Sequence, residues 1–198
     1  VEDYLKNLKK KADYTIEIIH RKAKDGLGSA ILSGIKQAKG DTIVVMDSDF
    51  SHPPQIIPKL IESIKKYQYD IAVASRYIKG GNIKGWTLKR KIMSKFATMI
   101  AKKGLGIDAK DPMSGFFAFK KNIIKELNID AIGYKILLEI LVKTKNVTIT
   151  EIPYTFQDRE LGSSKLNFKT ILDYYKSVWR LYRYGKPFEK QEKRSSVK

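Results

Sequence analysis

Residues 44–54 read VVMDSDFSHPP: an apolar run ends in two aspartates one residue apart, followed by a histidine and two prolines. Residues 42–46 are short, rich in valine and isoleucine, and preceded by the turn-forming pair Gly40-Asp41, as in a strand covered on both faces of a parallel sheet. In such sheets ligands sit beyond the carboxyl ends of the strands. Asp47 and Asp49 occupy that place, and in an extended segment side chains two apart point to one side. Two hard oxygen donors so placed could share a magnesium or manganese ion, and the partner they imply is a metal-bound polyphosphate. The same residues also fit a solvated turn, with Asp49 or Ser51 capping a helix that begins at Pro53 or Pro54.

The chain has 198 residues, 42% hydrophobic, enough for one good core. It has no cysteine, which rules out disulfides and thiolate metal sites and agrees with a cytosolic setting. Lysine and arginine number 39 against 21 acidic residues, a net charge of +18 that favours anionic partners: nucleic acid, phosphorylated substrates or acidic headgroups. No apolar run in the sequence reaches the length that spans a bilayer and no signal-peptide pattern is read in it, so a soluble or peripheral chain is expected. The chain begins at Val1 and its first segment reads as the middle of something, so a missing N-terminal part is expected.

Tyr4, Leu5, Leu8 and Ala12 mark an amphipathic helix, and residues 15–19 a strand. The turn KDGLG at 24–28 leads into a helical pattern through Ala30, Ile31, Gly34, Ile35 and Ala38, its glycines serving close packing. A helix over 53–66 buries Ile57, Leu60, Ile61 and Ile64, and residues 70–75 form a second buried strand ending at Arg76. Strand, helix and strand at this spacing argue a parallel crossover and an α/β sheet with helices on both faces. Asp47, Asp49 and Arg76 then share one sheet edge.

A glycine-rich loop at 79–82 leads past Trp86 to a helix over 88–103, with Met93, Ala97 and Ile100 facing inward. Arg90 and Ser94, one turn apart, can grip a phosphate, or belong to a solvated basic face with Lys89 and Lys91. DPMSG at 111–115 enters an aromatic strand, where Asp111 orients a hydroxyl or caps the turn. A helix over 133–145 turns Tyr134, Leu137, Leu138 and Leu141 inward, spaces Lys135 and Glu139 for a surface ion pair, and precedes a strand at 147–152. The polar loop 157–165 carries Arg159 and Lys165 and reads either as a lid over a diphosphate or as a plain basic connection. The helical pattern from Phe168 to Tyr182, aromatic on one side and basic on the other, suits a membrane interface or a helix packed on the domain. The tail from residue 185 is polar and charged, as in disordered segments.

DSDFSHPP, VASRYIKGG, GWTLKRKIMS, DPMSGFFAFK, GYKILLEIL, EIPYTF and R-x-x-G-x-S-K-L at 159–166, in this order, resemble the dolichol-phosphate mannose synthases, inverting family 2 glycosyltransferases with a GT-A fold. The resemblance implies an α/β, Rossmann-like mixed sheet flanked by helices, with a catalytic domain over 1–166, an interfacial helix over 167–184 and a disordered tail over 185–198. It implies transfer of mannose from GDP-mannose to dolichyl or polyprenyl phosphate on the cytosolic leaflet by a peripheral protein. Anchoring would be through the basic helix or a membrane anchor subunit. By the same resemblance Asp47 and Asp49, with Ser51, hold Mg2+ or Mn2+. The donor is bound by Asp47, Ser48, Asp49, Arg76, Lys135, Arg159 and Lys165, and the acceptor phosphate by Arg76, Arg90 and Ser94. Asp49, Arg76 and Arg90 are the expected catalytic residues, and His52 is expected to tie the loop to the helix start.

Two departures stand out. Relatives often carry glutamine where this chain has Ser51. Family members also begin with a Pro-x-Tyr-Asn-Glu strand and a second strand ending in paired aspartates, and many carry C-terminal membrane helices. None of these is present here, so the sheet is expected to lack its N-terminal strands. Competing readings are a sister enzyme using another sugar such as glucose, a non-catalytic membrane-binding remnant, and, last, a nucleic-acid binder, for which no recognisable module exists.

Overall fold

The computed structural model describes residues 14–23, 26–125, 127–129, 135–144, 146–158 and 174–184. The expected N-terminal helix, Arg159, Lys165, Tyr134 and the 185–198 tail lie outside them. In chain order the elements are α1 (Leu27–Gln37), β1 (Thr42–Val45), a 3-10 turn (Pro54–Ile56) running into α2 (Ile57–Lys65), β2 (Ile71–Ser75), β3 (Asn82–Lys84), α3 (Leu88–Leu105), β4 (Phe117–Lys120), α4 (Ile136–Lys143), β5 (Ile149–Pro153) and β6 (Thr155–Gln157). A last helix, α5, spans 174–184.

The main sheet has the order β1-β4-β2-β5. Strand β4 runs antiparallel to both β1 and β2, while β2 and β5 are parallel. The sheet is therefore mixed, and β1 and β2 are parallel to one another across β4. Side chains alternate between two cores, as the period of two demands. Ile71 and Val73 with Phe117 and Phe119 face α1, α4 and α5, whereas Ala72 and Ala74 with Phe116 and Ala118 face Leu60 and Ile64 of α2. Every residue of β2 is buried.

Several expectations change. Strand β1 is covered on both faces, Ile43 and Val45 in one core and Val44 in the other, but three of its four residues are only partly buried, and its partner among the described residues is the antiparallel β4 rather than a parallel neighbour. Residues 15–19 form no strand. Neither Asp49 nor Ser51 caps the helix, since Pro53 is its N-cap without a side-chain bond. Of the two glycines of the turn, Gly28 is buried, as packing expects, whereas a Cβ at Gly26 would meet nothing within 4 Å. Gly26 serves the backbone instead, at φ 91°. Met93 of α3 is exposed rather than inward, and the residues α3 buries are Thr98 and Ala101. Strands β3 and β6 form a small parallel sheet that the sequence did not suggest.

Helix α5 uses both of its faces. Val178 and Leu181 join the core and the Tyr174 hydroxyl donates to Ala97 O at 2.6 Å, while Tyr175, Trp179, Tyr182 and Tyr184 stay exposed.

Candidate active site

The carboxyl ends of β1, β2 and β5 and the amino end of antiparallel β4 lie on one edge of the sheet, and the chain leaving each brings polar groups there. From β1 come Asp47 to His52, from β2 Arg76 and Tyr77, from the approach to β4 Asp111 to Gly115, and from β5 Tyr154.

After β1, Phe50 adopts φ 60°, a left-handed conformation uncommon for a bulky side chain, and turns the loop back on itself. Ser51 then donates to Asp49 Oδ1 through both Oγ (2.5 Å) and its backbone N (3.2 Å). Ser48 is exposed, while Ser51, expected as a third metal ligand, is buried and hydrogen-bonded to Asp49. His52 accepts the Asp47 N–H at Nδ1 (3.0 Å) and stacks on Phe116, edge-on to Tyr154 and Phe156. Burial lowers its pKa against the pull of Asp47 and Asp49, which agrees with a neutral ring accepting at Nδ1. His52 thus ties the end of β1 to the core. At Gly115 a Cβ would lie 3.3 Å from His52 Cε1 and 3.6 Å from Asp47 Oδ2, so this position is walled by both side chains.

Arg76 is committed. Its Nε and Nη2 donate to Asp111 Oδ2 and Oδ1 at 2.7 and 2.8 Å, and its backbone N donates to the same carboxylate at 3.1 Å. Asp111 is fully buried and the Arg76 side chain 9% exposed. Burial opposes the arginine's charge, but Asp111 outweighs it and raises the pKa. Glu151 of β5 accepts the backbone N–H groups of Lys110 and Asp111 at 2.7 and 3.0 Å, fixing the acid in turn. Arg76 was expected to hold donor and acceptor phosphates; one edge of its guanidinium, Nε with Nη2, is taken by Asp111.

Arg90 and Ser94 share a face of α3 but bond to different elements. Ser94 Oγ accepts from the Tyr77 hydroxyl at 2.8 Å, whereas Arg90 Nη1 lies 2.7 Å from Asp158 Oδ2 and its guanidinium is 4.2 Å from the centre of the Trp86 ring. Arg76 lies against the same indole at 5.6 Å. The shared tryptophan brings the two arginines together.

Lys135 is the N-cap residue of α4, at φ −121° and ψ 55°. That conformation takes it out of the helical register, and its Nζ donates to Met113 O at 3.4 Å. Glu139 is buried and pairs with Lys143 at 2.7 Å, so the expected Lys135–Glu139 surface pair is replaced. Burial pushes Lys135 down to about 8, helped by Arg76 and resisted by Asp111 and Asp47, which places the amine in the same cluster.

Gly85 sets the turn that delivers Trp86 and Arg90. It adopts φ 83°, and a Cβ there would lie 2.8 Å from Cβ of Asp158. Gly85→Ala should destabilise the protein by about 2 kcal/mol, as side chains resist this conformation and the space is taken. Chemical denaturation measures it, and an unchanged midpoint would contradict the packing described.

The family described as Glycosyl transferase family 2 matches residues 1–127. The chain belongs to glycosyl transferase family 2. Among characterised relatives, this family 2 chain is 46% identical over 173 residues to a dolichol-phosphate mannosyltransferase of Pyrococcus furiosus, covering 86% of this chain and 49% of that protein. It is 40% identical to the protein of the same name in Saccharomyces cerevisiae, covering 85% of this chain and 65% of that one. The chain thus spans about half the length of the first relative and under two thirds of the second. Its fold is that of the GT-A glycosyltransferases. Glucosyl-3-phosphoglycerate synthase from Mycobacterium tuberculosis, solved with Mn2+, uridine-diphosphate-glucose and phosphoglyceric acid, superposes with a TM-score of 0.53 at 17% identity, over 82% of this chain and 56% of that one.

Sequence reasoning missed Glu151, Asp158, Tyr77 and Trp86. An acid inside an otherwise apolar strand was the available signal for Glu151, because half-buried carboxylates need partners.

Proposed function

We propose that this family 2 chain is the catalytic part of an enzyme that transfers mannose from GDP-mannose to a polyprenyl phosphate such as dolichyl phosphate. The observation that carries the reading is the convergence on one sheet edge of an aspartate pair, Asp47 and Asp49, with Arg90 and Lys135 set around Asp111 and Trp86. The relatives' names supply the sugar and the lipid.

Among the described residues no group of three or more His, Cys, Asp or Glu could hold a metal. Two carboxylates nevertheless fit Mg2+ or Mn2+, which bind through one or two protein carboxylates plus substrate phosphates. Asp47 and Asp49 would hold the ion, with Ser51 orienting Asp49. When bound there, the cation supplies positive charge to the departing diphosphate.

An oxygen of the lipid phosphate forms the new bond to the anomeric carbon of mannose, and the carbon–oxygen bond to GDP breaks with its electron pair passing to the diphosphate. Attack opposite the leaving group inverts the anomeric configuration. The nucleophile is already an anion, so no side chain need remove a proton, and the task left to the protein is alignment and charge. Arg90 holds the acceptor phosphate and Lys135 a donor phosphate. Arg159 and Lys165 are proposed donor contacts from outside the described residues, and Arg76 fixes Asp111 and the site floor.

The charge on Lys135 gives a pH prediction. With its pKa near 8 rather than the ordinary 10.5, the amine is charged below pH 8 and neutral above it. Binding of GDP with Mg2+ should therefore hold to pH 8 and weaken by about tenfold above it, the loss of one charge-assisted bond. Lys135→Arg, charged throughout, should flatten the profile in calorimetry. A wild-type affinity unchanged to pH 9.5 would exclude Lys135 from the phosphate site.

No described helix is long and apolar enough to cross a membrane. A lipid acceptor calls for a surface that meets a bilayer, and α3 exposes Leu88, Ile92, Phe96 and Met99 among lysines. We place this face at the headgroups of the cytoplasmic leaflet. Lys91→Ala with Lys95→Ala should weaken sedimentation with phosphatidylserine vesicles by about tenfold or more, from roughly 1 kcal/mol per lysine at the surface. Equal binding by the double variant would place the contact elsewhere.

The donor test is competition by free nucleotides. GDP-mannose should displace a fluorescent GDP in the presence of Mn2+ and UDP-glucose should not; the reverse order would favour the glucose-using sister enzyme.

A further inference from the structure

Arg90 is held on two sides. Asp158 takes its Nη1 at 2.7 Å, and the Trp86 ring covers one face of its guanidinium at 4.2 Å. A guanidinium retains a second edge, Nε with Nη2, whose two parallel N–H groups match two oxygens of a phosphate. The held arginine is also accessible, its side chain 23% exposed beside an Asp158 side chain that is 28% exposed.

Asp158 is itself fixed by backbone. Its N–H donates to Lys84 O at 3.1 Å, continuing the β3–β6 ladder, and Gly85 packs against its Cβ. The carboxylate therefore stands on the small sheet, while the arginine it holds stands on α3. An acid beside an arginine that meets a phosphate would, by charge alone, repel the ligand. Its monodentate hold argues the other way, because it uses one nitrogen and leaves the bidentate edge to an incoming anion.

We propose that Asp158 is a positioning residue for the acceptor: it holds Arg90 against Trp86 so that the Nε–Nη2 edge is preset to receive the terminal phosphate of the polyprenyl acceptor. The inference rests on the acceptor assignment above. A preset side chain gives up less freedom on binding than a mobile arginine, so the contribution of Asp158 is read in acceptor affinity rather than in the fold.

The test measures binding of farnesyl phosphate, a short soluble polyprenyl phosphate, to the full chain by calorimetry, with Mn2+ and GDP-mannose binding measured alongside. The chain has two tryptophans, so a Trp179→Phe background leaves Trp86 as the fluorescent reporter of the Arg90 stack. Asp158→Ala keeps the Cβ and backbone bond and should weaken farnesyl phosphate about tenfold, alter Trp86 emission before any ligand is added, and leave donor affinity unchanged. Asp158→Asn, which keeps an acceptor oxygen for Nη1, should restore most of the affinity. If Asp158→Ala fails to fold, Asp158→Ser, too short to reach Nη1, carries the same expectation. Equal or tighter farnesyl phosphate binding by these variants overturns the positioning role while leaving the acceptor assignment standing. A wild-type chain that ignores farnesyl phosphate overturns both.

Discussion

Asp49→Ala is expected to lower mannose transfer at least about 100-fold and to remove the metal dependence of donor binding. Loss of a residue that only supports a metal ligand typically costs 10–100-fold, so removal of a ligand should exceed that range. Ser51→Ala provides the comparison. Ser51 Oγ donates to Asp49 Oδ1 at 2.5 Å from a buried position, so its loss should weaken metal binding by about tenfold without abolishing it. If the serine were itself a ligand, the two variants would lose metal to the same degree. Titration of Mn2+ followed by its paramagnetic signal, with GDP present, separates the cases.

Asp111→Ala is expected to destabilise the protein by about 3–5 kcal/mol and to lower its melting temperature by about 10 °C, because it leaves the Arg76 guanidinium buried without its counter-charge. The size follows from the burial of both partners and from the three hydrogen bonds that converge on one carboxylate. Replacing the pair together, Arg76→Met with Asp111→Leu, should recover most of the loss, since two apolar side chains leave no buried charge. Calorimetric melting of the three variants checks this. A double variant no more stable than Asp111→Ala would show that the pair is needed for more than mutual neutralisation.

What could be read from the sequence was whatever repeats within a few residues. The buried strand at 71–75 and the aspartates beyond residue 46 follow from apolar runs that end abruptly in charge, and α2 and α4 formed within a few residues of their expected bounds. Pairing across long separations was not legible. Arg76 and Asp111 are 35 residues apart, Arg90 and Asp158 68 apart, and no local pattern couples them. Strands β3 and β6 are three residues long, too short to show a period. The buried face of α3 was misread because apolar residues and lysines are spread around the whole helix, so tertiary contacts alone choose the face that turns inward. Lys135 and Glu139 have the spacing of a helical ion pair, but that spacing has meaning only when both residues are helical, and Lys135 is not.

The arrangement also divides two arginines that look alike in sequence. Both lie against Trp86, and each has an acid, yet the Arg76 side chain is 9% exposed in a bidentate pair while that of Arg90 is 23% exposed in a single-point contact. Arg76 is tied down by its acid, whereas Arg90 keeps the exposure that its proposed phosphate contact requires.

The central claim is tested most directly by incubating the full chain with Mn2+, GDP-[14C]mannose and dolichyl phosphate, extracting the lipid and counting it. Label in the lipid fraction that depends on Mn2+ and is lost in Asp49→Ala is the predicted result; a folded chain that binds GDP-mannose and dolichyl phosphate yet transfers no label would contradict it.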